Sequence, residues 1–158
     1  MEETLPPITM NAAGFERTRV RQFTVFLDNR VGRLQALVRR FEEEEVKIVA
    51  LSIQEAADSA LVRVICSEPD IGREVLTKAG FPFGESELLA VELPKGTSHP
   101  LIAICTALLT AEINIHYAYP LLLRPHGPTL ALYLDDPTLA AQILIRKGFN
   151  LIAESDLR

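Results

Sequence analysis

The chain has 158 residues, 48% of them hydrophobic, with a formal charge of −5 and a pI near 5.2. That length suits one ordinary domain or two small ones, and the acidic balance argues against a nucleic-acid surface, which needs clustered basic side chains. No apolar run approaches the ~20 residues of a membrane span, and the start MEETLPPITMNAAGFER lacks the layout of a signal peptide, so the chain reads as cytoplasmic.

Residues 1–17, with Pro6 and Pro7 and few periodic apolar positions, read as a flexible tail. A strand is expected at about 20–27, then a polar turn, Asp28 to Gly32. A helix follows over about 32–44, in which Leu34, Leu37, Val38 and Phe41 repeat at i, i+3, i+4, i+7. The acid run Glu42 to Glu45 at its end reads as a solvated face. Alternation and β-branched content place strands at about 46–55 and 60–66. The stretch SEPD opens a second helix over 69–79, with Ser67 as N-cap and Pro69 near N1, and Gly80 closes it. A further strand begins at about 86.

The pattern then returns. Leu101, Ile104, Cys105 and Leu108 repeat the first helix, and DDPTLAAQILIRKGF repeats SEPDIGREVLTKAGF with Pro137 against Pro69 and Gly148 against Gly80. ESDL (Glu154 to Leu157) repeats ESEL (Glu85 to Leu88), and 113–117 and 130–134 take the hairpin roles. Cys66 and Cys105 both lie in apolar runs, where thiols are expected to be reduced and buried rather than bridged or metal-bound.

The order βαββαβ, twice, predicts an α+β chain of two tandem ferredoxin-like units, each an antiparallel sheet with its helices on one face. Phe23, Val25 and Leu27 lie on one face of the first strand and Phe26 on the other, so the open faces or edges should also be covered, within the chain, across a dimer, or both. No Gly/Ser linker separates the repeats. The division falls at 18–88 and 89–158, and the strand at 86–93 is expected to serve both units, coupling them.

The turn after the first strand is the strongest candidate site. The first N–H groups of a helix lack intrahelical partners and attract a carboxylate or phosphate. Asp28 can accept from an ammonium, Asn29 can donate and accept, and Gly32 admits a ligand close to the backbone. Amides beside a carboxylate suit a zwitterion, so a free amino acid is the natural candidate. The plainer alternative, that Asp28 or Asn29 caps the helix and Gly32 makes the turn, stays open. A phosphate cradle does not fit, because neither GxxxxGK[ST] nor GxGxxG is present, and Arg30 and Arg33 read as solvated or interface residues.

The second loop offers Thr97, Ser98 and His99 before Pro100, with Pro100 set against Gly32 and the loop one residue longer. Ser98 beside His99 has no orienting acid nearby in sequence and is read as a helix start or ligand contact rather than a nucleophile. His126 reads as a hairpin residue, and the three histidines show no metal-ligand spacing. Nothing calls for a metal or organic cofactor, and no catalytic motif points to an enzyme.

The strand FTVFL, loop DNRVG, helix RLQALVRRF and following VKIVALSIQEA resemble the ACT domain family, and the whole of 20–158 is similar to stand-alone tandem ACT proteins often labelled as like the acetolactate synthase small subunit. The resemblance implies an amino-acid-binding regulatory protein, a homodimer, with ligand contacts at Asp28, Asn29, Arg30, Val31, Gly32 and Leu34. It also implies a pocket bordered by Ser52 and by Tyr117 and Tyr119, where an aromatic strand at an interface is an equal reading. A partner enzyme such as acetolactate synthase is the alternative. The second repeat's departure puts its own turn, Thr97 to His99, in question.

Overall fold

The computed structural model describes residues 18–28, 30–123 and 127–158; the tail at 1–17, Asn29 and His126 lie outside the described residues. In chain order the elements are β1 (Arg19–Asp28), α1 (Arg33–Glu43), β2 (Ile48–Glu55), β3 (Ser59–Cys66), α2 (Pro69–Ala79) and β4 (Phe83–Glu92). They continue as α3 (Pro100–Leu109), β5 (Ile115–Pro120), β6 (Thr129–Leu134), α4 (Pro137–Arg146), β7 (Leu151–Ile152) and a 3-10 turn, Glu154–Leu157.

All seven strands form one antiparallel sheet in the order β2-β3-β1-β4-β6-β5, with β7 also on β4. The strand β4 is long enough to be used twice. Phe83 to Leu89 pair with β1, and Leu89 to Glu92 pair with β6, while Ala90 and Val91 also pair with β7. Each βαββαβ order therefore closes on part of the same strand. The last strand is only two residues long, so ESDL forms a 3-10 turn where ESEL lies in β4.

Side-chain alternation along β4 sorts the core into layers. Leu89 and Val91 point to the helix side and join Ile104, Leu108, Leu132 and Leu144 under α3 and α4. On the same side of the first unit, Phe23, Val25, Leu37, Phe41, Val64 and Leu76 pack under α1 and α2. Gly72 of α2 sits so close to the sheet that a Cβ there would come within 2.7 Å of Cys66 Sγ and 3.2 Å of Phe23 Cε2.

The alternate residues of β4, Leu88 and Ala90, face the other way, into a third cluster with Val20, Val49, Ile65, Tyr119, Ala131, Ile152 and Leu157. The sheet curls about β4 until its outer strands meet: Leu122 N donates to Val49 O at 2.7 Å, just beyond β5. The helix-free faces of the two units thus cover one another inside the chain. Phe26 escapes this cover and stays 48% exposed.

Local chemistry corrects three sequence expectations. Ser67 does not cap α2, because its buried hydroxyl accepts from Lys47 N at 3.0 Å and ties the loop before β2 to the end of β3; Glu68 takes the cap position. Cys105 is exposed, since α3 turns it outward, whereas Cys66 is buried and its thiol is pushed up to about 12 by desolvation. Pro100 takes the first position of α3, level with Arg33 rather than Gly32, and the loop before it runs over 93–99 against 29–32 in the first unit.

Candidate functional site

The β1–α1 turn is built by a single backbone choice. Gly32 is the N-cap residue of α1 with φ of 87°, a left-handed conformation that glycine adopts without strain. A Cβ here would meet nothing within 4 Å, so the dihedral and not crowding calls for glycine. Gly32 O accepts from Ala36 N at 3.0 Å and Arg30 O from Arg33 N at 3.3 Å. Gly32 has no side chain with which to cap the next amides, so among the described residues the helix start is presented open.

Around it, Asp28 ends β1 opposite Ser59, with its carboxylate 3.9 Å from the Arg30 guanidinium and both side chains largely exposed. Val31 is fully exposed, and Leu34 is half-buried against the first unit's core. Arg33 lies with its guanidinium 5.2 Å from the centre of the Phe81 ring, a cation–π contact that turns it away from the solvent. A carboxylate, open amides and an apolar residue therefore share one surface turn.

The second turn is different and stands elsewhere. Because β4 runs antiparallel to β1, the first turn lies at the Phe83 end of β4 and the loop 93–99 follows its Glu92 end. Thr97, Ser98 and His99 are all exposed. His99 is the N-cap residue at φ of −129°, its N–H donating to Thr97 Oγ1 at 3.1 Å, and Pro100 removes one N–H from the helix start. Two strand-to-helix turns thus cannot converge on one ligand within a chain.

A family profile for the ACT domain pair matches residues 18–158. The chain belongs to the ACT domain pair family. Among solved structures, protein BT0572 from Bacteroides thetaiotaomicron shares the pair's fold with a TM-score of 0.80 and 24% identity, covering 89% of this chain and 96% of that one. The ligand-free regulatory subunit of aspartate kinase from Thermus thermophilus aligns at a TM-score of 0.55 and 8% identity, over 82% of this chain and 93% of that one. A structure of aspartokinase alpha and beta subunits gives 0.53 and 12%, over 81% and 90%. Identities this low show a shared fold. No curated protein matches the sequence significantly.

Within this ACT pair, Ser52, Tyr117 and Tyr119 sit at the seam between the curled sheet halves. Ser52 pairs in register with Arg63, whose guanidinium carbon lies 3.9 Å from the centre of the Tyr117 ring. Tyr117 stacks on Tyr133 at 4.9 Å and shares the amide of fully buried Gln22 with Tyr119. Tyr119 OH donates to Gln22 Oε1 at 2.6 Å, while Gln22 Nε2 donates to Ser86 Oγ at 2.9 Å and to the Tyr117 hydroxyl. Burial pushes the Tyr119 hydroxyl well above its ordinary pKa, with Tyr117 adding to the rise.

The seam lies mid-sheet, four residues along β1 from Asp28 at Thr24, or ~14 Å at the usual strand rise. Ser52 and the two tyrosines are therefore apart from the turn. Gln22, Arg63, Ser86 and Tyr133 join them, unforeseen from the sequence. The available signal was Gln22 itself, an amide between apolar Val20 and Phe23 in the strand RVRQFTVFL, which implies a buried partner if the strand has no wet face.

On the outer surface Glu154 receives Arg21 through three donors, the backbone N at 3.0 Å, Nε at 2.9 Å and Nη2 at 3.2 Å, and so fastens the C-terminal turn to β1. Arg21 also reaches Asp70 at 2.9 Å, a hydrogen bond that lowers the Asp70 pKa. Among the described residues no cluster of three or more metal-binding side chains occurs, and no helix is long and apolar enough to cross a membrane.

Proposed function

We propose that this ACT pair is a regulatory protein that binds a small free amino acid, or a closely related metabolite, at the turn from Asp28 to Leu34. The observation that carries the reading is the open start of α1 behind left-handed Gly32, just beyond a β-strand that ends in an exposed carboxylate. The amides suit the ligand's carboxylate and Asp28 its ammonium. Arg30 and Val31 flank this pair of contacts on the exposed side. A fold shared with a protein named as the regulatory subunit of aspartate kinase supports the regulatory part.

The proposal divides the chain at 88/89, inside β4, and assigns binding to the first unit. In the second, the glycine is replaced by His99 and a donor is lost at Pro100. Ser52, Tyr117 and Tyr119 have the role of joining the units. Regulation then requires the ligand to prefer one arrangement of the turn and of the strands it joins over another.

The test is a thermal-shift screen against the twenty amino acids and common nucleotides. A ligand at 100 times its dissociation constant stabilises by about 2.7 kcal/mol, or roughly 5–10 °C for a chain of this size. One chemical class of amino acid should shift the melt, and Asp28→Ala and Gly32→Val should each abolish the shift while retaining a cooperative melt. If both variants respond as the parent does, the ligand lies elsewhere.

A further inference from the structure

The end of α1 carries charges that the fold does not need. The two repeated helices close in the same way: Glu45 N donates to Glu42 O and Val46 N to Phe41 O, as Glu112 N donates to Leu109 O and Ile113 N to Leu108 O. Glu45 and Glu112 both stand at φ of 57°, so that glutamate belongs to the turn. Glu42, Glu43 and Glu44 do not recur, and the second unit has Leu109, Thr110 and Ala111 in their places. A run of carboxylates at a helix C-terminus opposes the macrodipole. Glu42 to Glu45 are all exposed, and among the described residues none of the four takes part in an ion pair.

Beside this run lies a groove of about 450 Å³, lined by Val38, Glu42, Glu45, Val46, Lys47 and Ile48. Three aliphatic side chains form its apolar part, two unpaired carboxylates stand with them, and Lys47 is the single cation of the lining. The apolar strip continues past Ile48. Val49 O accepts from Leu122 N at 2.7 Å and from Leu123 N at 3.4 Å, and these leucines are 61% and 41% exposed. An apolar strip edged by charge suits an amphipathic stretch of polypeptide, which lays its apolar side chains in a groove and its charges along the rim.

We propose that this groove docks a basic amphipathic segment of a partner protein, its leucine-like side chains on Val38, Val46 and Ile48 and its lysines or arginines on Glu42 and Glu45. Charge complementarity selects this occupant. A second copy of the chain brings a net charge of −5, and a two-fold contact here would set carboxylates against carboxylates. Residues 1–17 carry Glu2, Glu3 and Glu16 against Arg17, so they do not supply the cations either. An anionic lipid surface is repelled for the same reason. The groove lies at the opposite end of α1 from the β1–α1 turn, and the inference holds whether or not that turn binds an amino acid.

The probe is a labelled synthetic peptide with leucine at i, i+3, i+4, i+7 and lysine elsewhere, titrated with the full chain by fluorescence anisotropy. It should bind, and the same peptide with glutamate for every lysine should bind at least about 10-fold more weakly. Glu42→Lys combined with Glu45→Lys should weaken the lysine peptide by about 10-fold or more and strengthen the glutamate peptide. Glu112→Lys, at the matching place in the second unit, should change neither. Amide chemical shifts of the parent chain should move at 38–48 and 122–123 on adding the lysine peptide, which locates it even if the double variant fails to fold. Absence of binding, equal affinity for the two peptides, indifference to the double variant, or shifts centred on α3 would each overturn the proposal.

Discussion

The two strand-to-helix turns at opposite ends of β4 come from one repeated pattern and differ in the few atoms on which the proposed binding depends. The first has a left-handed glycine, an open helix start and a carboxylate; the second has a histidine at negative φ, a proline at the first helical position and a loop over 93–99. Their helices differ in the opposite sense, α1 polar outside and α3 apolar. A fold can be repeated faithfully in its buried positions while the exposed positions of each copy diverge.

If the buried layers are alike in the two units, they should fail alike. Phe41→Ala and Leu108→Ala each empty a fully covered site under the helices and should cost about 3–5 and 2–5 kcal/mol in chemical denaturation. Because β4 belongs to both units, each variant should still unfold in a single transition. Two separated transitions would break the comparison by showing that the units stand independently.

Smaller effects should separate the halves. Gly72→Ala pushes a methyl toward Cys66 and Phe23 and should cost about 1–3 kcal/mol, whereas Ala140, at the matching position of α4, already carries that methyl and is fully buried. Gln22→Leu leaves the buried Tyr119 hydroxyl without its acceptor and should cost about 1–3 kcal/mol. Tyr119→Phe in the Gln22→Leu background should recover part of that loss, a double-mutant cycle that measures how far the seam couples the units.

The mildest test is alkaline. Burial raises both Cys66 and Tyr119, so the folded chain holds these protons after the unfolded chain has released them. Stability from this source is fully present below the ordinary thiol and phenol values, near 9 and 10, and declines as pH rises beyond them. Tyr119→Phe should flatten the decline above pH 10 in denaturation midpoints, and Cys66→Ala should flatten the part between 9 and about 12. An unchanged slope in both would show that other groups set it.

What could be read in the sequence follows from which signals are local. Helix periodicity at Leu34, Leu37 and Phe41 and the twofold recurrence of Pro69/Gly80 as Pro137/Gly148 depend on neighbours along the chain, and the two α+β units follow from them. The outward turn of Cys105 and the tie between Ser67 and Lys47 depend on which face of an element meets the rest of the molecule, which an all-apolar helix such as α3 does not disclose. The seam was legible in part, as an aromatic strand at an interface in Tyr117 and Tyr119, but their partner Gln22 was not, since it lies 95 and 97 residues away from them. For the site, Asp28 and Gly32 were readable as a turn, while the left-handed backbone at Gly32 and the loss of its equivalent at His99 needed the dihedrals.

The central claim is that one turn of the two binds an amino acid. Isothermal titration calorimetry of the full chain with the amino acid that raises the melt most tests it directly, run on the parent, on Asp28→Ala and on Thr97→Ala. The account predicts one site per chain, lost in Asp28→Ala and kept in Thr97→Ala. Two sites per chain, or a site that survives Asp28→Ala with unchanged affinity, would contradict it.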